Sequence, residues 1–122
     1  MAGDYCWLMR RNLAEVAPAI DWPTGVQLID YRPELAQAVH RLMELGYRDG
    51  GGRVPALERW QQNFETDPEY DPALCFVALD AEGVVAVCQC WTSSYIKNLV
   101  VHPRGQRRGL GRALLLHAFK VF

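Results

Sequence analysis

The chain has 122 residues, of which 50% are hydrophobic and 22% charged, and it carries a net charge of −1. This length and composition predict one globular domain that buries about two thirds of its unfolded surface. No apolar run approaches the roughly 20 residues that cross a bilayer, and residues 1–21 lack the apolar core of a signal peptide. We therefore expect no membrane partner and a cytoplasmic location.

The charges are distributed unevenly along the chain. All 14 Asp and Glu residues precede position 83, whereas 83–122 holds six of the 13 Lys and Arg residues and no acid. A basic segment of this kind suits a small polyanionic ligand, although a solvated basic face would explain it too. Nucleic acid is not an expected partner, because the whole chain is acidic and no aromatic residues alternate with the arginines.

The four cysteines are Cys6, Cys75, Cys88 and Cys90, and they lack the spacing of a zinc site. We therefore predict no metal, and free thiols suit a reducing compartment. Cys88 and Cys90 alternate within a strand pattern, so both side chains should face the same side. A buried apolar role is the favoured interpretation for this pair, and a redox role is the alternative.

Apolar periodicity, proline and glycine positions predict eight elements. In chain order these are a strand over 5–9, a strand over 26–31, a helix over 33–45, a helix over 55–64, strands over 75–79, 84–91 and 95–101, and a helix over 110–122. Residues 12–24 read as a connecting segment. Gly46 is predicted to follow the first helix, and Asp80 and Gly83 to begin and end a hairpin turn.

The most informative segment joins the last strand to the last helix. A β-branched run stops at Pro103, and a short basic loop with Gly109 and Gly111 precedes the apolar pattern of the helix. Free N–H groups at the start of a helix, its dipole and adjacent glycines together favour phosphate binding. The alternative gives Gly109 a turn and Gly111 close helix–sheet packing, roles that are compatible with binding.

Residues 106–111, Gln-Arg-Arg-Gly-Leu-Gly, fit the Gln/Arg-x-x-Gly-x-Gly/Ala signature of the GNAT-type N-acetyltransferases, and residues 98–103 resemble the strand that precedes it there. The resemblance implies an α/β (α+β) fold, with a mixed, largely antiparallel sheet flanked by helices. It also implies that the loop binds the pyrophosphate of acetyl-CoA, the co-substrate, and that the strand backbone pairs with the pantetheine arm. The implied binding residues are Leu99, Val100, Val101, Gln106, Arg107, Arg108, Gly109, Leu110, Gly111 and Arg112.

The resemblance stops after the helix that follows the loop. Family members continue with a fifth strand and a further helix, which commonly supplies a tyrosine as general acid. We therefore expect 1–122 to be a single GNAT domain that is incomplete at its C-terminus, with 1–24 forming an N-terminal strand and linker. Residues 5–11 look like the last strand of a preceding GNAT unit. A terminal helix that is apolar on nearly every side raises the alternative of a homodimer that completes the sheet.

The function implied by the resemblance is transfer of an acetyl group from acetyl-CoA to a primary amine by direct attack. The alternative is a truncated, non-catalytic GNAT module that binds coenzyme A weakly or serves as an interaction unit. A generic nucleotide-binding domain is disfavoured, because Walker-type and Rossmann-type glycine motifs are absent. The catalytic residues are left unknown. The side chains considered are His40, His102, His117, Glu44, Asp49 and Tyr95.

Overall fold

The computed structural model describes residues 20–47 and 53–122; the strand expected over 5–9 lies outside them. In chain order the elements are β1 (Gln27–Asp30), a 3₁₀ turn (Pro33–Leu35), α1 (Ala36–Tyr47), α2 (Leu57–Glu65), a 3₁₀ turn (Pro72–Leu74), β2 (Cys75–Asp80), β3 (Gly83–Trp91), β4 (Tyr95–Val101), a 3₁₀ turn (Pro103–Gly105) and α3 (Leu110–Val121). No helix within these two ranges is both long enough and apolar enough to cross a bilayer.

The four strands form one sheet in the order β1-β2-β3-β4, and each neighbouring pair is antiparallel. Sequential antiparallel pairing follows from the short connections between the last three strands, which leave no room for a crossover. The predicted α/β class with a largely antiparallel sheet is confirmed. Within the described residues β1 and β4 are the two edges, and the 106–112 loop follows the β4 edge.

Two apolar clusters lie on the opposite faces of this sheet. One joins α1 and α2 to the sheet through residues such as Val39, Trp60 and Val87. The other joins α3 to the sheet and contains Leu110, Leu114 and the two cysteines of β3. This division follows from strand alternation, because successive side chains point to opposite faces. The sheet is therefore the middle layer between the α1–α2 pair and α3.

The first helix differs from its prediction at its end. Gly46 lies inside α1, which continues to Tyr47, so the prediction that Gly46 follows the helix is wrong. The reason is a close contact between layers. A Cβ built on Gly46 would lie 2.6 Å from Cγ1 of Val100 on β4. Glycine is present here because α1 crosses β4 too closely for a side chain, and no turn is needed.

The predicted hairpin and the predicted orientation of two cysteines are confirmed. Gly83 begins β3 with φ of +118°, and the carboxylate of Asp80 accepts the N–H of Glu82 at 2.9 Å. Cys88 and Cys90 are both fully buried on the α3 side of β3, with their Sγ atoms 3.7 Å apart. The contact with the Cys90 thiol, followed by burial, raises the pKa of Cys88, which favours its neutral form.

Candidate coenzyme loop and adjoining cavities

The turn after β4 is held against β3 by its own backbone and by one glycine. The N–H of His102 donates to the carbonyl of Val85 at 2.8 Å, and Nδ1 of His102 accepts the N–H of Arg104 at 3.1 Å. Gly105 is buried, and a Cβ there would lie 2.7 Å from Cγ2 of Val85. A side chain at position 105 would clash with Val85, so only glycine lets the backbone approach β3 this closely. Together with the two hydrogen bonds, this approach fixes the point at which the 106–112 loop begins.

The 106–112 loop has two residues in the left-handed region. Arg107 has φ of +64° and Gly109, the N-cap of α3, has φ of +78°, whereas Arg108 between them has no positive φ. Alternation of this kind turns successive N–H groups toward one concave side, which is a recurrent anion-binding arrangement. No side chain caps the start of α3, so the N–H groups of its first turn also face outward. The backbone therefore presents a set of donors suited to a phosphate.

The four arginines of this segment have different surroundings. Arg104 is a structural residue: its guanidinium bonds both carboxylate oxygens of Asp80, at 2.9 and 3.0 Å, and the carbonyl of Val84 at 3.0 Å. The hydrogen bond from Arg104 lowers the pKa of Asp80. Arg108 donates to the carbonyl of Thr24 at 2.8 Å. Arg107 and Arg112 are exposed, and neither pairs with a carboxylate in the described part of the chain. These two are the side chains available for a ligand.

The left-handed conformation of Arg107 leads to a stability prediction. A non-glycine residue in the left-handed region destabilises the folded state by about 1–2 kcal/mol. Glycine removes this strain but also increases the conformational entropy of the unfolded chain, which offsets part of the gain. Arg107→Gly should therefore raise the free energy of unfolding by roughly 0.5–1 kcal/mol in urea denaturation. Arg108→Gly is the matched control and should lower that free energy, because its φ is already ordinary for an L-residue. A shift of both variants in the same direction would contradict this account of the loop.

The outer edge of β4 carries the backbone groups predicted to meet the pantetheine arm. The bond between His102 and Val85 fixes the alternation of the ladder, so Val100 pairs with β3 while Leu99 and Val101 turn their N–H and C=O groups outward. The side-chain amide of Gln106 donates to the carbonyl of Val101 at 3.1 Å. Of the three strand residues predicted to bind, Leu99 thus keeps both of its outward backbone groups available.

A β-bulge lies in β4 at Lys97. Gln89 pairs with Asn98 and Cys90 pairs with Ile96, so Lys97 is the extra residue. A bulge of this type leaves its residue outside the ladder and bends the strand. The bulge lies two residues before Leu99, so the backbone of Lys97, which is outside the ladder, is next to the outer edge of β4. Sequence reasoning did not locate this bulge.

Two adjoining cavities lie on the α1–α2 side of this bulge. The first, of about 290 Å³, is the α1–β4 cavity; the second, of about 180 Å³, is the α2–β3 cavity. The α1–β4 cavity is lined by Met43, Tyr47, Arg53, Val54, Pro55, Trp60, Lys97 and Asn98. The α2–β3 cavity is lined by Pro55, Trp60, Asn63, Phe64, Asp67, Gln89, Trp91 and Lys97. Because three residues line both, the two cavities form one concave region beside β4.

A chain of polar side chains crosses the floor of this region. The hydroxyl of Tyr47 donates to Oδ1 of Asn98, whose amide donates to Oε1 of Gln89 at 2.7 Å. Gln89 is only 2% exposed, and burial raises the pKa of Tyr47. Tyr47 and Asn98 are half-buried, and polar side chains that satisfy one another in this way around a buried member hold a fixed geometry. Gln89 is the one polar side chain of β3, and that signal could have predicted it, whereas Asn98 follows the charged Lys97 in β4 and is less distinctive.

The candidate acid–base residues are mostly engaged elsewhere. His40 is buried, with Nε2 2.7 Å from the carbonyl of Pro55 and Nδ1 3.4 Å from Glu44. His117 packs edge-on against Phe76, and burial lowers its pKa. Nδ1 of His102 accepts the Arg104 N–H described above, and Tyr95 is 45% exposed. Asp49 lies outside the described residues. The one carboxylate lining either cavity among the described residues is Asp67 of the α2–β3 cavity.

Comparisons with known proteins agree with this fold and this loop. Residues 71–122 match the family model described as an acetyltransferase (GNAT) domain. A GCN5-related N-acetyltransferase from Sphaerobacter thermophilus is 25% identical with a TM-score of 0.73, over 89% of this chain and 35% of that one. A Drosophila protein is 20% identical with a TM-score of 0.61, over 89% and 33% of the two chains. A GCN5-related N-acetyltransferase from Kribbella flavida is 21% identical with a TM-score of 0.54, over 74% and 25%. No curated protein sequence matches the chain.

The sheet, the loop at the start of α3 and these matches define the chain as an α/β domain with a GNAT-like fold. Residues 71–122, which contain β2 to α3, match the GNAT acetyltransferase domain model, so the predicted resemblance to that family is confirmed. The chain spans about a third of the length of the first two solved structures. No contact of the described residues supports the expected homodimer, which stays a prediction.

Proposed function

We propose that this chain binds acetyl-CoA at the 106–112 loop and along the outer edge of β4, and that it transfers the acetyl group to a primary amine. One observation carries the proposal: the left-handed pair Arg107 and Gly109 lies at the uncapped start of α3, in a loop that Gln106 bonds to Val101 on the same outer edge of β4 as Leu99. Donors suited to a pyrophosphate and an edge suited to an amide-containing arm thus lie in the order that the coenzyme requires.

The donor set fits the charges of the coenzyme. Backbone N–H groups of residues 107–112 would meet the pyrophosphate, and the exposed side chains of Arg107 and Arg112 would add charge-assisted hydrogen bonds. The N–H and C=O of Leu99 would pair with the pantetheine arm as an added strand does. Gln106 would hold the loop against β4 through its bond to Val101.

In this reaction the protein mainly positions the thioester and the amine, and it forms no covalent bond to either. When bound, acetyl-CoA supplies a thioester; attack by the neutral amine forms the C–N bond and breaks the C–S bond, while the amine loses a proton and the sulfur gains one. Backbone beside the Lys97 bulge would orient and polarise the carbonyl, and the two cavities would hold the amine near it. The residue that takes the proton is not assigned.

A second candidate function is a non-catalytic GNAT module that binds coenzyme A without transfer. It is favoured by the engagement of every described histidine in a structural contact. The two candidates differ in one measurable step, because only the enzyme releases free thiol from acetyl-CoA when an amine is added.

The test is a titration of the purified chain with acetyl-CoA, read by melting temperature and calorimetric heat together. Ligand at about 100 times its Kd should add about 2.7 kcal/mol, which is several degrees for a domain of this size. S-acetylpantetheine, which lacks the phosphates, is the control and should give a much smaller rise. Thiol release with a panel of amines then supports the enzyme. Saturable binding without release supports the module, and a flat titration overturns the coenzyme site.

A further inference from the structure

Among the described residues that line it, the α1–β4 cavity has two cationic side chains and no carboxylate. Arg53, just before α2, and Lys97, at the β4 bulge, both line it, and none of its described lining residues is a carboxylate. Neither cation lies within ion-pair distance of a carboxylate in the parts 20–47 and 53–122. The Lys97 ammonium lies 5.6 Å from the centre of the Trp91 ring. Asp67 of the adjoining α2–β3 cavity is the one carboxylate in the described lining of the whole concave region, so two cations accompany one anion. The region therefore keeps a net positive charge that a ligand could balance.

The rest of the lining is mainly apolar. Met43, Val54, Pro55 and Trp60 are the apolar residues that line the α1–β4 cavity, whose volume of about 290 Å³ suits a small molecule. Asn98 accepts one hydrogen bond at Oδ1 and donates one from Nδ2, both to side chains of the protein, so its orientation is fixed. The cavity thus offers cations for an anionic group and apolar surface for a hydrocarbon group.

Hydrogen bonds and ring contacts outside the cavity hold its walls in place. The buried His40 ring bonds the Pro55 carbonyl at 2.7 Å and lies 5.7 Å from the Trp60 ring, which ties the segment before α2 to α1. On the opposite wall, the chain from Tyr47 through Asn98 to Gln89 fixes the bulged part of β4. Because His40 and Gln89 are themselves buried, the walls are fixed before a ligand binds, whereas the exposed side chains of Arg53 and Lys97 would be ordered by it.

From this geometry we propose that the α1–β4 cavity binds the carboxylate of an amine acceptor, held by Arg53 and Lys97, with an apolar part of the same molecule against Trp60. The acceptor class is thus a small amine that carries both a carboxylate and a hydrocarbon group, as an apolar amino acid does. The name acceptor rests on the proposed transfer reaction, in which the amine of this molecule receives the acetyl group. The binding of its carboxylate can be measured without that reaction. A guanidinium and an ammonium give two charge-assisted contacts to one carboxylate.

The test compares L-leucine with L-leucinamide, which keeps the amine and the hydrocarbon group but lacks the carboxylate. Amide chemical shifts of the labelled chain would be followed during titration with each, with and without acetyl-CoA. We expect leucine to bind about tenfold more tightly than leucinamide, and Arg53→Gln or Lys97→Gln to remove most of that difference. Arg59→Gln is the matched control, since Arg59 is exposed on α2 and does not line the cavity.

The outcomes separate this proposal from the coenzyme proposal. Equal binding of leucine and leucinamide, no binding of leucine up to tens of millimolar, or an unchanged preference in Arg53→Gln would each overturn the carboxylate site. The melting-temperature rise with acetyl-CoA would be unaffected by any of these results. Conversely, a charge-dependent preference that Arg53→Gln removes would support the carboxylate site even if acetyl-CoA gave no rise in melting temperature.

Discussion

Replacing Gly46 by alanine should lower the free energy of unfolding by about 2 kcal/mol, even though alanine ordinarily stabilises a helix interior by about 1 kcal/mol over glycine. The new Cβ would lie 2.6 Å from Cγ1 and 3.4 Å from Cγ2 of Val100. Val100 is 8% exposed and belongs to the cluster between the sheet and α1–α2, so it has little room to move. The helix must therefore shift away from β4, and packing in that layer is lost.

The matched control is Gly111→Ala, which also places an alanine in a helix. Its Cβ would meet Cγ2 of Val101 at 3.6 Å, an ordinary contact, so stability should stay level or rise. Shortening Val100 should partly rescue the variant. Val100→Ala should lower the free energy of unfolding less in the Gly46→Ala background than in the wild type, and a double-mutant cycle in urea measures this difference. Equal stability of Gly46→Ala and Gly111→Ala would show that α1 does not approach β4 this closely.

The order of the elements was predictable because local chemistry determines it. Val84 to Trp91 and the other strand patterns alternate or run apolar as a sheet core requires, and Asp80 and Gly83 supply the turn between two of them. The helical stripe with Trp60 and Phe64 likewise follows from spacing alone. Each of these signals depends on neighbours within about ten residues, which is the range over which periodicity acts.

The error at Gly46 has the opposite origin. A glycine near the end of a helical pattern usually marks the end of the helix, and the sequence shows no difference between that role and a close approach of another element. The deciding neighbour, Val100, is far away in the chain and comes close only when α1 packs on the sheet. At Gly111 the opposite holds. The sequence suggested close helix–sheet packing there, but a Cβ would lie 3.6 Å from Cγ2 of Val101, so the packing does not require glycine.

The candidate site was predictable in its backbone and less so in its side chains. The 106–112 loop and the strand before it were named from the sequence, but the different surroundings of the arginines were not. Arg104 pairs with Asp80 and Arg108 reaches Thr24, contacts that depend on the packing of distant segments. The bulge at Lys97 depends on strand register, which a single strand does not encode. The concave region beside β4 therefore became visible only in the folded chain.

Reversing the charges of Arg107 and Arg112 should nearly abolish coenzyme binding. In Arg107→Glu/Arg112→Glu, the affinity for acetyl-CoA should fall by about 100-fold or more, because each charge-assisted hydrogen bond contributes about 1.5–3 kcal/mol and each new carboxylate repels phosphate. Arg108→Gln should have a smaller effect, since its guanidinium already bonds the carbonyl of Thr24. Calorimetric titration gives the affinities, and circular dichroism checks that the variants are folded.

Lys120→Glu serves as the control for the change in net charge. Lys120 is exposed in the last turn of the same helix, far from the loop at its start, so its reversal should change coenzyme affinity only slightly. The effect of the double reversal should also shrink at high salt and be absent with S-acetylpantetheine, which has no phosphates for Arg107 and Arg112 to bind. If Lys120→Glu weakened binding as much as the double reversal did, the loop would act through overall charge alone. Specific contacts from Arg107 and Arg112 would then be excluded.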